Sequence, residues 1–106
     1  MLDRQLASPY DFRKRLYWRI FFSNRFSKNV WVTRHARESM LRRKVDADTL
    51  KRLIEEGEVK RRDEASLWVF RHIQDRADNL ICAAVVEQAA LIVKTVMINW
   101  ELEDET

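Results

Sequence analysis

The sequence predicts an α+β domain in which two N-terminal helices pack on an antiparallel meander sheet of four to five strands. Three observations carry that expectation. Helical punctuation runs from Thr33 to Gly57, the apolar pattern turns from helical to extended after Gly57, and the links between the extended runs are a few polar residues long. Links that short permit hairpins but not crossovers. At 106 residues the chain makes one domain, able to bury roughly two-thirds of its unfolded surface and so to hold a core without covalent staples. With 46% apolar and 35% charged residues it is too apolar for global disorder.

In chain order, residues 1–29 are a basic-aromatic extension, 30–100 the α+β core and 101–106 an acidic tail. In the extension, Tyr10, Phe12, Leu16, Tyr17, Trp18, Ile20, Phe21, Phe22 and Phe26 alternate with arginines and lysines. The apolar positions spread around most of a helical wheel, so periodicity does not decide the segment. Three readings stay open: an added helix packed on the domain, a basic-aromatic surface for nucleic acid, and a membrane-surface segment. A homodimer interface through residues 1–29 follows if the aromatics form an exposed patch.

Asn29-Val30-Trp31-Val32-Thr33 is β-branched and aromatic and reads as a strand, after which Thr33 caps a helix beginning near Arg34. Arg34–Glu38 and Glu38–Arg42 are i,i+4 pairs on that helix. A second helix has Asp46 as its N-cap, Val45 and Leu50 at the spacing of a hydrophobic staple, and Gly57 at its end in the place of a left-handed cap. Leu50, Leu53 and Ile54 form its buried face. Residues 58–62, 67–73, 80–86 and 91–98 then read as strands, the last two apolar on both sides and therefore central.

Charge is unevenly placed. Residues 1–62 hold 17 Lys and Arg against 8 Asp and Glu, whereas residues 63–106 hold 3 against 9. A basic first half attracts polyanions, unless the two halves neutralise each other within the fold. The lone Cys82 lies in an apolar run, which excludes an internal disulfide and predicts a buried, inert thiol. One Cys and two His make a single-chain zinc site improbable. No apolar run has the length of a membrane span and the start lacks a signal-peptide core, so the expected location is cytoplasmic.

The chemistry-bearing residues cluster in the first helix. His35, Ser39 and Arg42 fall within ~40° of one direction on a helical wheel, with Arg43 and Glu38 on the flanks and Arg37 nearby. A helix N-terminus disfavours a protonated imidazole, which suits His35 to act as a general base. A histidine beside fixed cations is what phosphodiester chemistry on RNA uses. The bland alternative is a solvent-facing histidine on a charged helix. Lys94 and Thr95 interrupt an apolar strand, and a lysine there must reach solvent, a partner or a cleft. His72 falls at a strand end and reads as peripheral.

His35-Ala36, Met40, Arg43, Val45, Gly57 and Thr95-Val96, in that order, resemble the pattern of a family of short bacterial domains of unknown function labelled four-two-five-eight, over about residues 30 to 98. That family is similar to the compact RelE-like and barnase-like ribonucleases, many of them toxins of toxin–antitoxin pairs. The resemblance implies a RelE-like architecture and a metal-independent endoribonuclease needing no cofactor. In that reading His35 takes the 2′-hydroxyl proton, Arg43 with Arg42 steadies the phosphate, and Lys94 or Thr95 binds a non-bridging oxygen. Where the family pattern has an arginine four residues after the histidine this chain has Ser39, with Arg42 and Arg37 able to supply the charge. The implied partners are RNA, free or ribosome-associated, and a cognate antitoxin protein. The competing class is a non-catalytic RNA- or protein-binding module that uses the basic helix and the aromatic N-terminus.

Overall fold

Six strands and two helices follow one another in the computed structural model, which describes residues 17–102. They are β1 (Tyr17–Ser23), β2 (Lys28–Thr33), α1 (Arg34–Arg43), α2 (Ala47–Glu56), β3 (Glu58–Arg61), β4 (Ser66–Arg71), β5 (Ile81–Glu87) and β6 (Leu91–Met97). All six strands join one sheet in the order β1-β2-β6-β5-β4-β3.

This architecture corrects the expected one. The domain is α+β, but the helices are not N-terminal: they lie between β2 and β3, and the sheet is mixed rather than a four- to five-stranded meander. β3, β4, β5 and β6 pair antiparallel in chain order, whereas β2 runs parallel to β6, with Val30 opposite Leu91 and Val32 opposite Val93. Parallel neighbours need a long crossover, and here everything from α1 to β5 is that crossover. β1 was hidden in the unreadable basic-aromatic segment. It carries a bulge, since Arg19 faces Trp31 and Phe21 faces Val30, leaving Ile20 as the extra residue. A bulge breaks the two-residue alternation by which a strand is recognised. The remainder of that segment, residues 1–16, lies outside the described residues, as does the end of the acidic tail.

Both helices cover one face of the sheet. Val30 and Val32 of β2, Leu67 and Val69 of β4, Ala83 and Val85 of β5, and Val93 and Val96 of β6 share a single buried cluster with Ala36 and Met40 of α1 and Leu50, Leu53 and Ile54 of α2. Each Val, Leu, Ile or Met side chain so buried is worth roughly 1.5–3 kcal/mol. The alternate residues face the other way: Trp31, Ile92, Ala84, Cys82, Trp68 and Phe70 stand outside that cluster. Cys82 is fully buried there, and burial pushes its thiol up to about 12.

Local chemistry explains the helix ends. Thr33 and Asp46 cap α1 and α2, accepting from the backbone N–H of Ala36 at 3.0 Å and of Thr49 at 2.8 Å. α1 closes on Lys44, left-handed at φ 56°. Gly57 is not the left-handed cap expected of it, since its φ is −75°. Glycine is required there for space. A Cβ would lie 2.5 Å from the Leu53 carbonyl oxygen and 2.9 Å from that of Phe70.

The β1–β2 hairpin is held from below by α2. The Glu55 carboxylate accepts from the Ser23 hydroxyl and from the Asn24 and Arg25 amides at 3.0 and 3.1 Å. Arg25 returns the contact, donating to the Ile54 and Gly57 carbonyls at 3.1 and 2.7 Å. At the other end of the hairpin the register sets Tyr17 opposite Thr33, beside the start of α1.

Candidate functional site

Two irregularities in the sheet build the site. At the end of β2 the chain turns directly into α1, and Thr33 braces the corner: besides capping the helix, its hydroxyl donates to the Lys94 carbonyl at 3.3 Å. In β6, Val93 faces Val85 and Thr95 faces Ala84, so Lys94 is an extra residue with no opposite number in β5. A bulge re-aims its side chain, and Lys94 is exposed despite its place in a central strand. Tyr17 stands opposite Thr33.

The outcome is an open hollow of about 380 Å³ lined by Tyr17, Thr33, Arg34, His35 and Lys94. It joins an imidazole, an ammonium, a guanidinium and a phenol at the first turn of a helix whose first turn has no acidic residue. None of the five lining residues is acidic. Backbone amides at a helix start add partial positive charge to that of Lys94 and Arg34. Such a hollow suits a phosphate or a similar anion, with an imidazole beside it.

The sequence-predicted residues divide between this hollow and other places. His35 and Lys94 line it together, and Thr95, half-buried, follows Lys94 in β6. Arg37 is exposed, but its guanidinium lies over the Trp18 ring at 4.6 Å from the centroid. Arg42 is exposed in the last turn of α1. Arg43 is half-buried and donates to the Val96 carbonyl at 3.2 Å, so it ties helix to sheet.

Ser39 does not share the exposed face on which helical spacing put it with His35 and Arg42. It is 1% exposed, donating to the Ala36 carbonyl at 2.8 Å and accepting the Val96 amide at 3.1 Å. Its hydroxyl satisfies a bulge-adjacent backbone N–H inside the helix–sheet interface. That is a structural contact. His72 is exposed beyond the end of β4.

Three lining residues were missed as site residues by sequence reasoning, Thr33 having been read only as a helix cap. Arg34 was read only as a partner of Glu38, and that ion pair exists at 3.5 Å between largely exposed side chains, where it holds little energy. Tyr17 carried no signal, because its relation to His35 exists only through the pairing of β1 with β2.

Among the described residues no group of three or more His, Cys, Asp or Glu could hold a metal ion, and no helix is long and apolar enough to cross a membrane. A protein-family model described as a domain of unknown function (DUF4258) matches residues 32–98. None of the curated proteins and none of the solved structures compared with the chain matches it. The matched stretch contains His35 and Lys94, while Tyr17 and all of β1 precede it.

Proposed function

The chain belongs to this family of domains of unknown function, and from that premise we propose that it is a metal-independent endoribonuclease whose site is the hollow around His35. The observation that carries the proposal is the meeting of His35, Lys94, Arg34 and Tyr17 in one open, acid-free hollow.

In the proposed reaction His35 accepts the proton of a ribose 2′-hydroxyl, and the 2′-oxygen attacks the adjacent phosphorus. The bond from phosphorus to the 5′-oxygen breaks, leaving a 2′,3′-cyclic phosphate and a 5′-hydroxyl. The leaving oxygen takes its proton from Lys94 or Tyr17. Lys94, Arg34 and the α1 N-terminus offset the charge that builds on the phosphoryl oxygens. Arg43 and Ser39 act through the fold by fixing α1 to β6, since both are committed to Val96. The same reading takes cytoplasmic RNA as substrate, free or on the ribosome, and a cognate antitoxin protein as the partner that restrains the enzyme.

The test is incubation of purified protein with mixed RNA in chelator, wild type against His35→Gln and Lys94→Ala. A positioned acid–base group supplies ~10²–10⁴ in rate, so His35→Gln should lower cleavage at least about 100-fold with an unchanged circular-dichroism spectrum. Equal cleavage by wild type and His35→Gln would sink the proposal. RNA binding that falls steeply with salt and brings no cleavage at any pH would replace it with a binding module.

A further inference from the structure

The helices share out the sheet unevenly, and the outer strand β1 is the one left at the margin. α1 packs on β6 and β2, whereas α2 meets β1 at its hairpin end, where Glu55 holds Ser23. Trp18 and Ile20, nearer the start of β1, pack against the helix-side core and stay half-buried. Two depressions lie between them and α1. One, of about 360 Å³, is lined by Trp18, Arg34, Arg37, Glu38 and Leu41. The other, of about 340 Å³, shares Trp18, Arg37 and Leu41 with the first and continues past the end of α1 by way of Ile20, Met40 and Val45 to Asp46. Residues common to both make them one groove. It follows the ten residues of α1, a length of roughly 15 Å.

Leu41 stands where the two depressions meet and is 73% exposed, more than any other large apolar side chain among the described residues. A lone exposed leucine is ordinary, but this one borders an apolar hollow, and apolar patches of that kind mark association surfaces. One surface thus offers both a knob and a hole. Its charges are also ordered along the groove. Arg34 is paired with Glu38 at 3.5 Å, which leaves Arg37 as the cation of the first depression, while Asp46 is the only acid lining the second. A nucleic acid is a poor occupant, because the apolar end carries a carboxylate and the Trp18 ring is already faced by the Arg37 guanidinium. A second copy of the chain is a good one. Turned by 180° about an axis near Leu41, it brings Arg37 of each copy towards the partner's Asp46, and the leucine of each towards the hollow of the other. A two-fold contact requires one patch that complements itself in this way.

We propose that the chain forms a two-fold dimer through the groove between α1 and β1, with Leu41 of each protomer seated among Ile20, Met40 and Val45 of the other. Apolar contact at the centre supplies the affinity, and the two Arg37–Asp46 pairs at the rim fix the antiparallel orientation. Arg34 lines both this groove and the hollow around His35, so the partner protomer stands at the edge of that hollow. The dimer does not depend on the reaction proposed there.

The experiment is sedimentation equilibrium of the full chain over about 1–100 µM, the range in which a dimer of ordinary affinity forms. Wild type should approach twice the mass of one chain. Leu41→Asp, which places a charge at the centre of the contact, should raise the dimer Kd at least about 30-fold with an unchanged circular-dichroism spectrum, since the side chain it replaces is exposed. Leu41→Met, of similar volume, should keep the dimer. Arg37→Glu should weaken it about 10-fold by setting two acids together. Phe22→Asp is the control: Phe22 is 49% exposed on β1 but follows Phe21, which packs against the helix-side core, so it faces away from the groove and its replacement should leave the mass doubled. A single-chain mass for wild type at about 100 µM would overturn the proposal and leave the groove to a different protein. A doubled mass that survives Leu41→Asp would also overturn it, by placing the contact elsewhere, and loss of that mass in Phe22→Asp alone would place it on the opposite face.

Discussion

Gly57 and Ser39 are small residues whose importance lies in what they allow to come close. At Gly57 the chain passes from α2 into β3 with two carbonyl oxygens and the Val69 side chain, at 2.9 Å, where a Cβ would stand. Backbone atoms cannot move aside as a flexible side chain does. Gly57→Ala is therefore expected to destabilise the fold by about 1–3 kcal/mol, read as a lower urea midpoint at constant slope. An unchanged midpoint would mean that the helix end relaxes freely. Ser39 makes the complementary point. Its hydroxyl occupies the helix–sheet interface because the Val96 amide there needs an acceptor. At the residue scale His35 differs from both, being exposed, so its replacement separates activity from stability.

Among the elements, the β1–β2 hairpin shows most clearly how tertiary contacts complete the site. By composition β1 is aromatic and cationic, and its bulge at Ile20 disturbs its alternation. What holds it is the cluster of Glu55 with Ser23, Asn24 and Arg25 on one side, and pairing with β2 on the other. Loss of the carboxylate leaves the fully buried Ser23 hydroxyl without its acceptor. Glu55→Ala is expected to cost about 1–3 kcal/mol. It should also lower activity at the hollow, since Tyr17 rides on the same hairpin. Native-state hydrogen exchange would locate the loss: β1 and β2 amides should exchange faster while those of β4 and β5 keep their protection. Uniform loss of protection would show instead that the hairpin is no separate unit.

For the whole molecule, the divided charge of the sequence is partly spent inside the fold. Glu87 of the acidic half binds both Lys28 and Arg61 of the basic half, and Arg71 pairs with Glu56. Arg76 grips Asp78 and reaches across to the carbonyls of Arg43 and Lys44, closing the end of α1. These contacts make stability depend on acid. The Arg61 and Lys28 side chains hold the Glu87 carboxyl below its usual range, the Arg76 guanidinium does the same for Asp78, and the Thr49 amide for Asp46. Because the folded values lie below the unfolded ones, their contribution is complete above the ordinary carboxylate range and disappears as pH falls through the folded values. Unfolding free energy should thus be level near neutrality and decline below about pH 4. Asp78→Asn should flatten that decline; an identical acid slope in the variant would show that the Arg76 clamp does not contribute. Lys94 and Arg34 meet at the hollow, whose lining residues include no acid.

By itself the sequence determined what depends on neighbours along the chain: the caps at Thr33 and Asp46, the two helices, the strands after Gly57, the buried Cys82, and His35 and Lys94 as the residues to watch. It did not determine β1, the parallel pairing of β2 with β6, the burial of Ser39, the spatial demand on Gly57, or the presence of Tyr17 and Arg34 beside His35. The physical reason is range. A cap or an apolar period is settled within a turn or two of chain. The hollow joins residues 17, 33, 34, 35 and 94 through strand register and a bulge, and those arise only when distant segments compete to bury the same apolar face.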